Sequence, residues 1–501
     1  MPKAATASRI LIAIIAISVM LRVVVSFLLG NEIEILPSIA DQLSYHNLAL
    51  RILDGHGFSF EYDWWPATRA GEPTAHWSYL YTLYLAAVYA VFGPNPLVAR
   101  LIQAIAGGVL MPWLAYRLAR HVFPPNLEQP LSAPVPGEYL PRFTRLNGLN
   151  RLWAGAQPVI PLLAATWMAI YGYFIYFAAA LMTETFYISG ILWTLDCALR
   201  INQKNNLPRR LAWVELGAAI GVTALLRQVF LPFVPFLFLW LFWAGFRSAR
   251  QDQRSAPAHK APEMVPRSIF GATLRGELIA GLVIVLLIAP VTTFNYRQFE
   301  RFVLLNTNAG YAFYWSNHPI YGDDYQPILS DDMPNYLDLL PKEVLWMDEA
   351  ALDRELMRRG IQFVKDDPGR YLRLSLDRIP AYFIFWPLTT SSVFSNLTRV
   401  LSYGIALPFI IAGIVMWALD VRQGALSRRG KSRGWIVPAR LEPGVLLLSF
   451  AVIYTLVHVL SWAGIRYRLP VDAVTLIFGA RSLYGLAMVV LFKKPAEPTP
   501  E

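Results

Sequence analysis

The chain has 501 residues, of which 55% are hydrophobic and only 16% are charged, and its mean hydropathy is +0.40. A soluble chain is about 25% charged, so the composition excludes a soluble globular enzyme, a disordered scaffold and a disulfide-stapled secreted module. The single cysteine, Cys197, can form neither an internal disulfide nor a Cys-rich zinc site. Its apolar neighbours in the sequence predict inert packing.

Ten apolar segments, most of them close to the length of about 20 residues that crosses a bilayer, predict ten membrane-spanning helices. The first is predicted to be a retained helix, because no small-residue cleavage site follows it. Arg22 lies within it, and we expect this side chain to reach outward or to pair with a neighbour. The ten segments lie near residues 9–29, 97–119, 158–180, 183–199, 211–227, 229–246, 276–293, 399–419, 443–462 and 470–491.

An eleventh apolar segment, residues 77–93, is predicted to lie on the outer membrane surface. It is rich in Trp and Tyr, which favour the membrane interface. Counting it as a span would also invert every later loop and place many basic residues, from Arg142 to Lys431, outside. The positive-inside rule argues against that arrangement.

With ten spans both termini are cytoplasmic, and two long segments, 30–96 and 294–399, lie outside. The predicted cytoplasmic segments then carry a net charge of +17 and the remaining residues −7, which accounts for the overall +10 without nucleic acid. In the second outer segment, residues 348–365 have helical apolar spacing with Asp348 as N-cap, and residues 371–385 form a second amphipathic stretch.

We therefore expect an all-α polytopic membrane protein with four parts. Residues 1–293 form a transmembrane module that includes the outer loop 30–96, and residues 294–398 form an outer loop with helices. Residues 399–491 form the C-terminal transmembrane helices, and residues 492–501 are a disordered tail.

Two acids and three arginines break the apolar pattern at turns that are predicted to face outward. Each acid has two interpretations: Asp41 and Glu184 can cap a helix, or they can take part in chemistry at the membrane surface. Arg227, Arg466 and Arg468 lie outside against the positive-inside trend. Arginines placed there either bind phosphate or pair with local acids or lipid headgroups.

These residue types on one plane suit a single chemistry. An acid accepts a proton from a nucleophile, while the arginines stabilise a leaving group that carries phosphate. Because the plane is the membrane surface, the phosphate is predicted to belong to a lipid.

At these residues the chain resembles the GT-C superfamily of membrane glycosyltransferases. It is most similar to the branch with the dolichyl-phosphate-mannose–protein mannosyltransferases and the lipid A aminoarabinose transferase. The similar segments are those from Asp41 through Gly55-x-Gly57 and Phe92-Gly93 to Arg100, Leu181–Glu184, Leu225–Arg227, Asn295-Tyr296, Asn306–Gly310 with Asn317, and Arg466–Pro470.

The resemblance implies inverting transfer of one sugar, a hexose or a pentose, from a polyprenyl-phosphate donor. The acceptor is a lipid, glycan or protein at the extracytoplasmic face, most naturally of a bacterial inner membrane. Asp41 matches the essential first-loop acid, Glu184 a second-loop acid, and Arg227 a position that faces the donor phosphate. Arg466 and Arg468 match the last outer turn.

Other implied positions depart from the family pattern. His76 falls at a phosphate-binding position but precedes Trp77 instead of Pro. Tyr45, Asn295 and Arg297 are candidate contacts to donor or acceptor. No Asp-x-Asp is present in the second loop, so no cofactor is assigned and a divalent metal stays open.

Two other classes of protein stay open. A lipid-linked sugar flippase or transporter would explain the charges at membrane depth, although no matching pair of broken helices is visible in the two halves. A glycan polymerase or ligase would instead use a diphosphate-linked oligosaccharide.

Overall fold

The structure, a computed structural model, describes residues 2–34, 41–124, 159–202, 209–255, 265–326, 335–389, 391–429 and 441–492. Within these residues every regular element is a helix, which confirms the predicted all-α fold class. The helices are α1 (Pro2–Leu29), α2 (Asp41–Leu53), α3 (Tyr79–Phe92), α4 (Pro96–Val122), α5 (Val159–Ile170), α6 (Gly172–Ala179), α7 (Glu184–Ile201), α8 (Arg209–Leu226), α9 (Val234–Ser255), α10 (Val265–Phe299), α11 (Ala309–Ser316), α12 (Glu349–Asp366), α13 (Pro368–Phe383), α14 (Val393–Arg399), α15 (Ile405–Arg429), α16 (Leu441–Val459) and α17 (Ile465–Phe492).

Seven helical segments among the described residues are long and apolar enough to cross a membrane, and α5 with α6 makes an eighth if the bent pair is one span. The other two predicted spans are helices α7 and α8, which have 18 residues and three charged side chains each. The count of ten therefore stays a prediction. The seven segments are Thr6–Leu29, Pro96–Val122, Gln228–Arg247, Phe270–Phe299, Val393–Arg422, Leu441–Val459 and Ile465–Val490.

The predicted span at 158–180 is broken, and Arg22 explains how the break is tolerated. Helices α5 and α6 meet at an angle of 50°, so the last carbonyls of α5 lose their helical partners. The buried guanidinium of Arg22 donates to the carbonyls of Met168 and Ala169 at 3.0 and 2.9 Å. The prediction that Arg22 pairs with a neighbour is confirmed, and it joins α1 to the bend.

Helix α3 is too short to cross a bilayer. Its 14 residues extend about 21 Å at 1.5 Å per residue, against a hydrocarbon core of about 30 Å. Ser78 caps its N-terminus by accepting a hydrogen bond from the backbone N–H of Tyr81. The structure thus agrees with a surface helix at 77–93, and its place at the outer interface stays a prediction.

Both helices predicted in the second outer segment are present. Asp348 caps α12 by accepting from the backbone N–H of Ala351 at 2.8 Å, as predicted. Helix α13 begins at Pro368, three residues earlier than the predicted stretch, because Asp367 caps it and proline suits the first helical position. The predicted tail is residues 492–501, and its residues from 493 onward lie outside the described part of the chain.

A buried carboxylate joins the two outer segments. Glu349, at the start of α12, accepts hydrogen bonds from the backbone N–H of Ala75 and the hydroxyl of Thr68, both at 2.8 Å, and from the hydroxyl of Thr307. Its side chain satisfies donors from both segments in one place. The two segments that are predicted to lie outside are therefore packed against each other.

Asp353, one turn further along α12, is half-buried against the start of α11, which belongs to the same outer segment. It accepts from the backbone N–H groups of Gly310 and Tyr311 at 2.7 and 3.3 Å. Burial, to which the negative charge of Glu349 adds, raises the pKa of Asp353 to about 7. The folded chain therefore holds this proton more tightly than the unfolded chain, in which the pKa is about 3.9.

We expect this carboxyl to make the fold less stable as the pH rises from about 4 to about 8. The loss is complete once the pH passes the folded pKa, and it amounts to roughly 4 kcal/mol. Asp353→Asn should remove this part of the pH dependence in thermal unfolding of the purified protein. The exposed Asp338 is the matched control, since Asp338→Asn should keep the wild-type pH dependence. An unchanged pH profile in Asp353→Asn would contradict the assignment.

Candidate active site

Four of the charged residues singled out in the sequence meet at one place. Nη1 of Arg466 donates to Oδ2 of Asp41 at 2.6 Å, and Nε of Arg466 lies 3.1 Å from Oε1 of Glu184. Nη2 of Arg227 donates to the same Oε1. We call Asp41, Glu184, Arg227 and Arg466 the outer charge cluster.

Each member of the outer charge cluster is placed by the end of a helix. Asp41 begins α2 and Glu184 begins α7, where a negative charge is favoured by the helix dipole. Arg227 follows the last residue of α8. Arg466 lies in the first turn of α17, where the helix dipole disfavours a positive charge. The negative charges of Asp41 and Glu184, which both pair with Arg466, compensate for this unfavourable interaction with the helix dipole.

The cluster is closed on the side of Glu184 and more open on the side of Asp41. The side chain of Glu184 is 2% exposed, whereas those of Arg466 and Asp41 are 18% and 25% exposed. Oε2 of Glu184 is buried and has no hydrogen-bond partner among the described residues. Nε of Arg227 is fixed by the hydroxyl of Thr183 at 2.7 Å. A ligand from outside therefore meets Asp41 and Arg466 first.

Aromatic side chains form the walls of the cluster. The guanidinium carbon of Arg227 lies 5.6 Å from the ring centre of Tyr187, and that of Arg466 lies 5.2 Å from the ring centre of Tyr467. Tyr45 packs edge-on against Trp77, with their ring centres 5.6 Å apart. Burial raises the pKa of Tyr45, so its hydroxyl stays a neutral donor.

His76 lies beside the cluster on the first outer segment and forms no described ion pair with it. Nδ1 of His76 is 3.2 Å from the carbonyl of Thr307, and its ring contacts Trp77 edge-on. Burial lowers the pKa of His76, although Glu349 and Asp41 oppose that shift. A neutral imidazole offers a hydrogen bond to phosphate but no positive charge.

Arg468 is not in the cluster, although the sequence places it only two residues after Arg466. At 100° per residue the two side chains point to opposite faces of α17. The guanidinium of Arg468 is fully buried and pairs with Asp472 at 3.0 Å. It also donates to the carbonyl of Tyr382 at 2.9 Å. These contacts fit the alternative interpretation, pairing with a local acid.

Two further candidate contacts lie elsewhere as well. Asn295 is fully buried, accepts from the hydroxyl of Tyr79 at 2.6 Å and donates to the carbonyls of Val303 and Leu305. It holds the chain where α10 leads into the second outer segment. Arg297 is exposed near the end of α10. Neither side chain is brought to the outer charge cluster.

Sequence reasoning missed Gln228, which follows Arg227. Its amide nitrogen donates to the carbonyl of Asn306 at 3.0 Å and to the side chain of Asn308 at 2.9 Å. Its amide oxygen accepts from the backbone N–H of Asn306. The only signal was a second polar residue beside Arg227 in an apolar stretch. Gln228 thereby fixes the start of the second outer segment beside the cluster.

An apolar cavity of about 480 Å³ descends beside the cluster between α3, α4, α7 and α8. Its upper lining includes Phe186, two residues after Glu184, and Leu226, the residue before Arg227. Its lower lining includes Trp113 and Trp193. Seven residues of α7 separate Phe186 from Trp193, which is a depth of about 10 Å.

The donor set of the cluster suits an anion better than a cation. Within the described ranges no three His, Cys, Asp or Glu side chains are grouped as metal ligands. Asp41 and Glu184 are already paired with arginines, whose positive charges would repel a divalent cation. The paired carboxylates of the cluster are therefore poorly matched to a divalent metal.

No protein-family model and no curated protein matches the chain. Among solved structures it is similar to the archaeal oligosaccharyltransferase AglB of Archaeoglobus fulgidus. The structure of that protein in complex with an inhibitory peptide and a dolichol-phosphate matches with a TM-score of 0.52 and 15% sequence identity. The match covers 98% of this chain and 52% of the archaeal chain. A structure of the Archaeoglobus fulgidus oligosaccharyltransferase tethered to an acceptor peptide matches with a TM-score of 0.50 and 14% sequence identity. That match covers 96% of this chain and 50% of the archaeal chain.

A third similar structure is ArnT of Cupriavidus metallidurans bound to undecaprenyl phosphate, with a TM-score of 0.32 and 12% identity over 98% of this chain and 81% of that one. The chain spans about half the length of the oligosaccharyltransferase. At such low identity the likeness concerns the fold alone. It agrees with the resemblance carried by the sequence motifs, and the chain is an integral membrane protein with a fold similar to that of the archaeal oligosaccharyltransferase.

Proposed function

We propose that the protein is a membrane glycosyltransferase that moves one sugar from a polyprenyl-phosphate donor to an acceptor, with inversion. The observation that carries the proposal is the outer charge cluster, which pairs Asp41 with Arg466 at 2.6 Å beside a second arginine, Arg227. The archaeal protein with a similar fold was solved with a dolichol-phosphate, which is a donor carrier of this class. We place the cluster at the extracytoplasmic face, with both termini cytoplasmic, because the basic segments are then inside.

The transfer is a single displacement at the anomeric carbon of the donor sugar. An acceptor hydroxyl or amine forms the new bond to that carbon while the bond from the carbon to the phosphate oxygen breaks. The electron pair leaves with the phosphate, and the proton of the acceptor passes to Asp41. Attack opposite to the leaving group inverts the configuration.

The two arginines stabilise the charge that develops on the leaving phosphate. Charge-assisted hydrogen bonds from guanidinium groups match phosphate oxygens in pairs. Glu184 pairs with both Arg227 and Arg466, so the guanidinium groups are oriented before the donor arrives. Such preorganisation is the usual source of electrostatic stabilisation in a transition state.

The apolar cavity is the site that we propose for the first isoprene units of the donor. Its lining includes Phe186 and Leu226, which are close in sequence to Glu184 and Arg227, and it is formed almost wholly by apolar atoms. Trp113 at its lower end is 38% exposed, so the rest of a long chain can continue into lipid.

A bulky side chain in the cavity should weaken binding of a long-chain donor. We expect Val222→Trp to raise the apparent KM for a polyprenyl-phosphate donor about tenfold, because Val222 lines the cavity. A donor with a very short chain should be unaffected. Val214→Trp is the matched control on the same helix, since Val214 is 40% exposed and lies outside the cavity lining. Equal effects of the two variants would contradict this use of the cavity.

The function is tested with purified protein in vesicles that contain a radiolabelled polyprenyl-phosphate sugar. The proposal requires a new glycosidic bond, with one sugar per acceptor and inverted configuration. Labelled lipid that crosses the bilayer without a new bond would identify a flippase instead. Products with many sugars, or a requirement for a diphosphate donor, would identify a polymerase or ligase.

A further inference from the structure

Asp41 is held in an ion pair with Arg466. Its Oδ2 accepts a charge-assisted hydrogen bond from Nη1 of Arg466 at 2.6 Å, and this bond must break before that oxygen can take a proton from the acceptor. The proposed transfer therefore needs an event that separates Asp41 from Arg466.

We propose that the donor phosphate is that event: it takes Arg466 from Asp41 and so releases the base only in a loaded site. This inference rests on the proposed function. Acceptor activation then follows donor binding, and an empty site holds Asp41 in an unreactive ion pair.

The geometry of Arg466 allows this exchange without moving the whole side chain. Nε of Arg466 lies 3.1 Å from Oε1 of the buried Glu184, while Nη1 donates to Asp41, the most exposed member of the cluster. The Nε edge of the Arg466 guanidinium is therefore held by the buried Glu184, and its Nη1 end faces the more exposed side of the cluster, where Asp41 lies. A phosphate that approaches from that side competes for Nη1 alone.

Arg227 adds the second half of the phosphate site. Its Nε is held by Thr183 at 2.7 Å and its Nη2 by Glu184, which leaves Nη1 outside these bonds. Because one oxygen of Glu184 pairs with both guanidinium groups, their free edges are kept close together. Two adjacent guanidinium edges fit the oxygens of one phosphate.

The change of charge during transfer favours the same exchange. In the empty cluster two acids and two arginines cancel. A sugar phosphodiester brings one negative charge, and the leaving phosphate gains a second one as Asp41 becomes protonated and neutral. The best partner of Arg466 therefore shifts from Asp41 to the phosphate as the reaction proceeds.

The exchange is tested by labelling Asp41 with an apolar carbodiimide, which reacts with protonated carboxyl groups. The purified protein is labelled with and without undecaprenyl phosphate, which carries no sugar, and modified peptides are quantified by mass spectrometry relative to Asp353. We expect the lipid phosphate to raise labelling of Asp41 severalfold, because Arg466, which donates to Oδ2 of Asp41, then no longer covers the carboxyl group. Arg466→Gln should give high labelling without lipid and no further rise with it.

Arg227→Gln is the matched control, because Arg227 has no described contact with Asp41. Its labelling without lipid should stay as low as in the wild type. Binding of undecaprenyl phosphate is measured in parallel by native mass spectrometry. Bound lipid with unchanged labelling of Asp41 would overturn the exchange and leave the proposed function standing. Failure of the lipid to bind would overturn both.

Discussion

Asp41→Asn should lower kcat for sugar transfer by at least about 100-fold, the smallest effect expected when a general base is lost. Asparagine keeps an oxygen that can accept from Arg466, which donates to Asp41 at 2.6 Å, but its amide cannot take a proton from the acceptor. The local contacts should therefore survive while the chemistry fails. The measurement is the rate of transfer at saturating donor and acceptor, with purified variant and wild type.

Asp54→Asn is the matched control for this prediction. Asp54 follows the same helix, α2, and its side chain is exposed, so the substitution removes one negative charge from the same segment without touching the cluster. Its rate should stay within about twofold of the wild type. Thermal unfolding should show that Asp41→Asn is folded. A wild-type rate in Asp41→Asn would remove Asp41 from the mechanism.

The convergence of the cluster could be predicted because its members disturb an otherwise apolar sequence. Asp41, Glu184, Arg227 and Arg466 are each a charge at the boundary of an apolar run. Alternation of sides along a polytopic chain then assigns these boundaries to one face. That reasoning gives a common plane, and the ion pairs at 2.6 and 3.1 Å show that the residues also meet within that plane.

The same reasoning could not separate Arg466 from Arg468. A plane at the membrane surface contains every side chain near a helix end, whichever way it points. Only the helical geometry of α17, which begins at Ile465, turns Arg468 away toward Asp472. The sequence does contain the i, i+4 spacing of Arg468 and Asp472, which is typical of an ion pair on one helix face.

The bend between α5 and α6 could not be predicted from local sequence. The 158–180 stretch has Gly172 as its only glycine, no proline after Pro161, and an uninterrupted apolar run. The carbonyls freed by the bend are satisfied by Arg22, which lies far away in the sequence. The same holds for Glu349, whose partners come from both outer segments. Polar contacts between residues this far apart in the sequence can be identified only from the folded structure.

Arg227→Ala should raise the apparent KM for the donor by about 10- to 100-fold and should also lower kcat, because the same contact stabilises the charge that develops on the leaving phosphate. A lost hydrogen bond to a charged group corresponds to about 1.5–3 kcal/mol, and each 1.4 kcal/mol is tenfold in affinity. Arg227→Lys should recover only part of the loss, because one ammonium cannot replace the guanidinium edges that donate to Thr183 and Glu184. The measurement is initial transfer rates over a range of donor concentrations.

The control for lost positive charge is Arg373→Ala in the second outer segment of the sequence prediction, since Arg373 is 56% exposed and pairs only with the exposed Asp323 among the described ion pairs. Its donor KM should be unchanged. An unchanged KM for the donor in Arg227→Ala would contradict the proposed contact between Arg227 and the donor phosphate.

Donors with long and short polyprenyl chains distinguish the proposed contact of Arg227 with the phosphate from the proposed contact of the cavity with the polyprenyl chain. Arg227 is assigned to the phosphate, which every donor carries, so Arg227→Ala should raise KM by the same factor for long-chain and short-chain donors. Val222→Trp acts on the cavity beside the cluster, so it should raise KM for the long-chain donor alone. Since the two changes affect different parts of one ligand, their effects on the long-chain donor should add in free energy. A factor for Arg227→Ala that depends on chain length would mean that Arg227 shapes the cavity instead of binding phosphate.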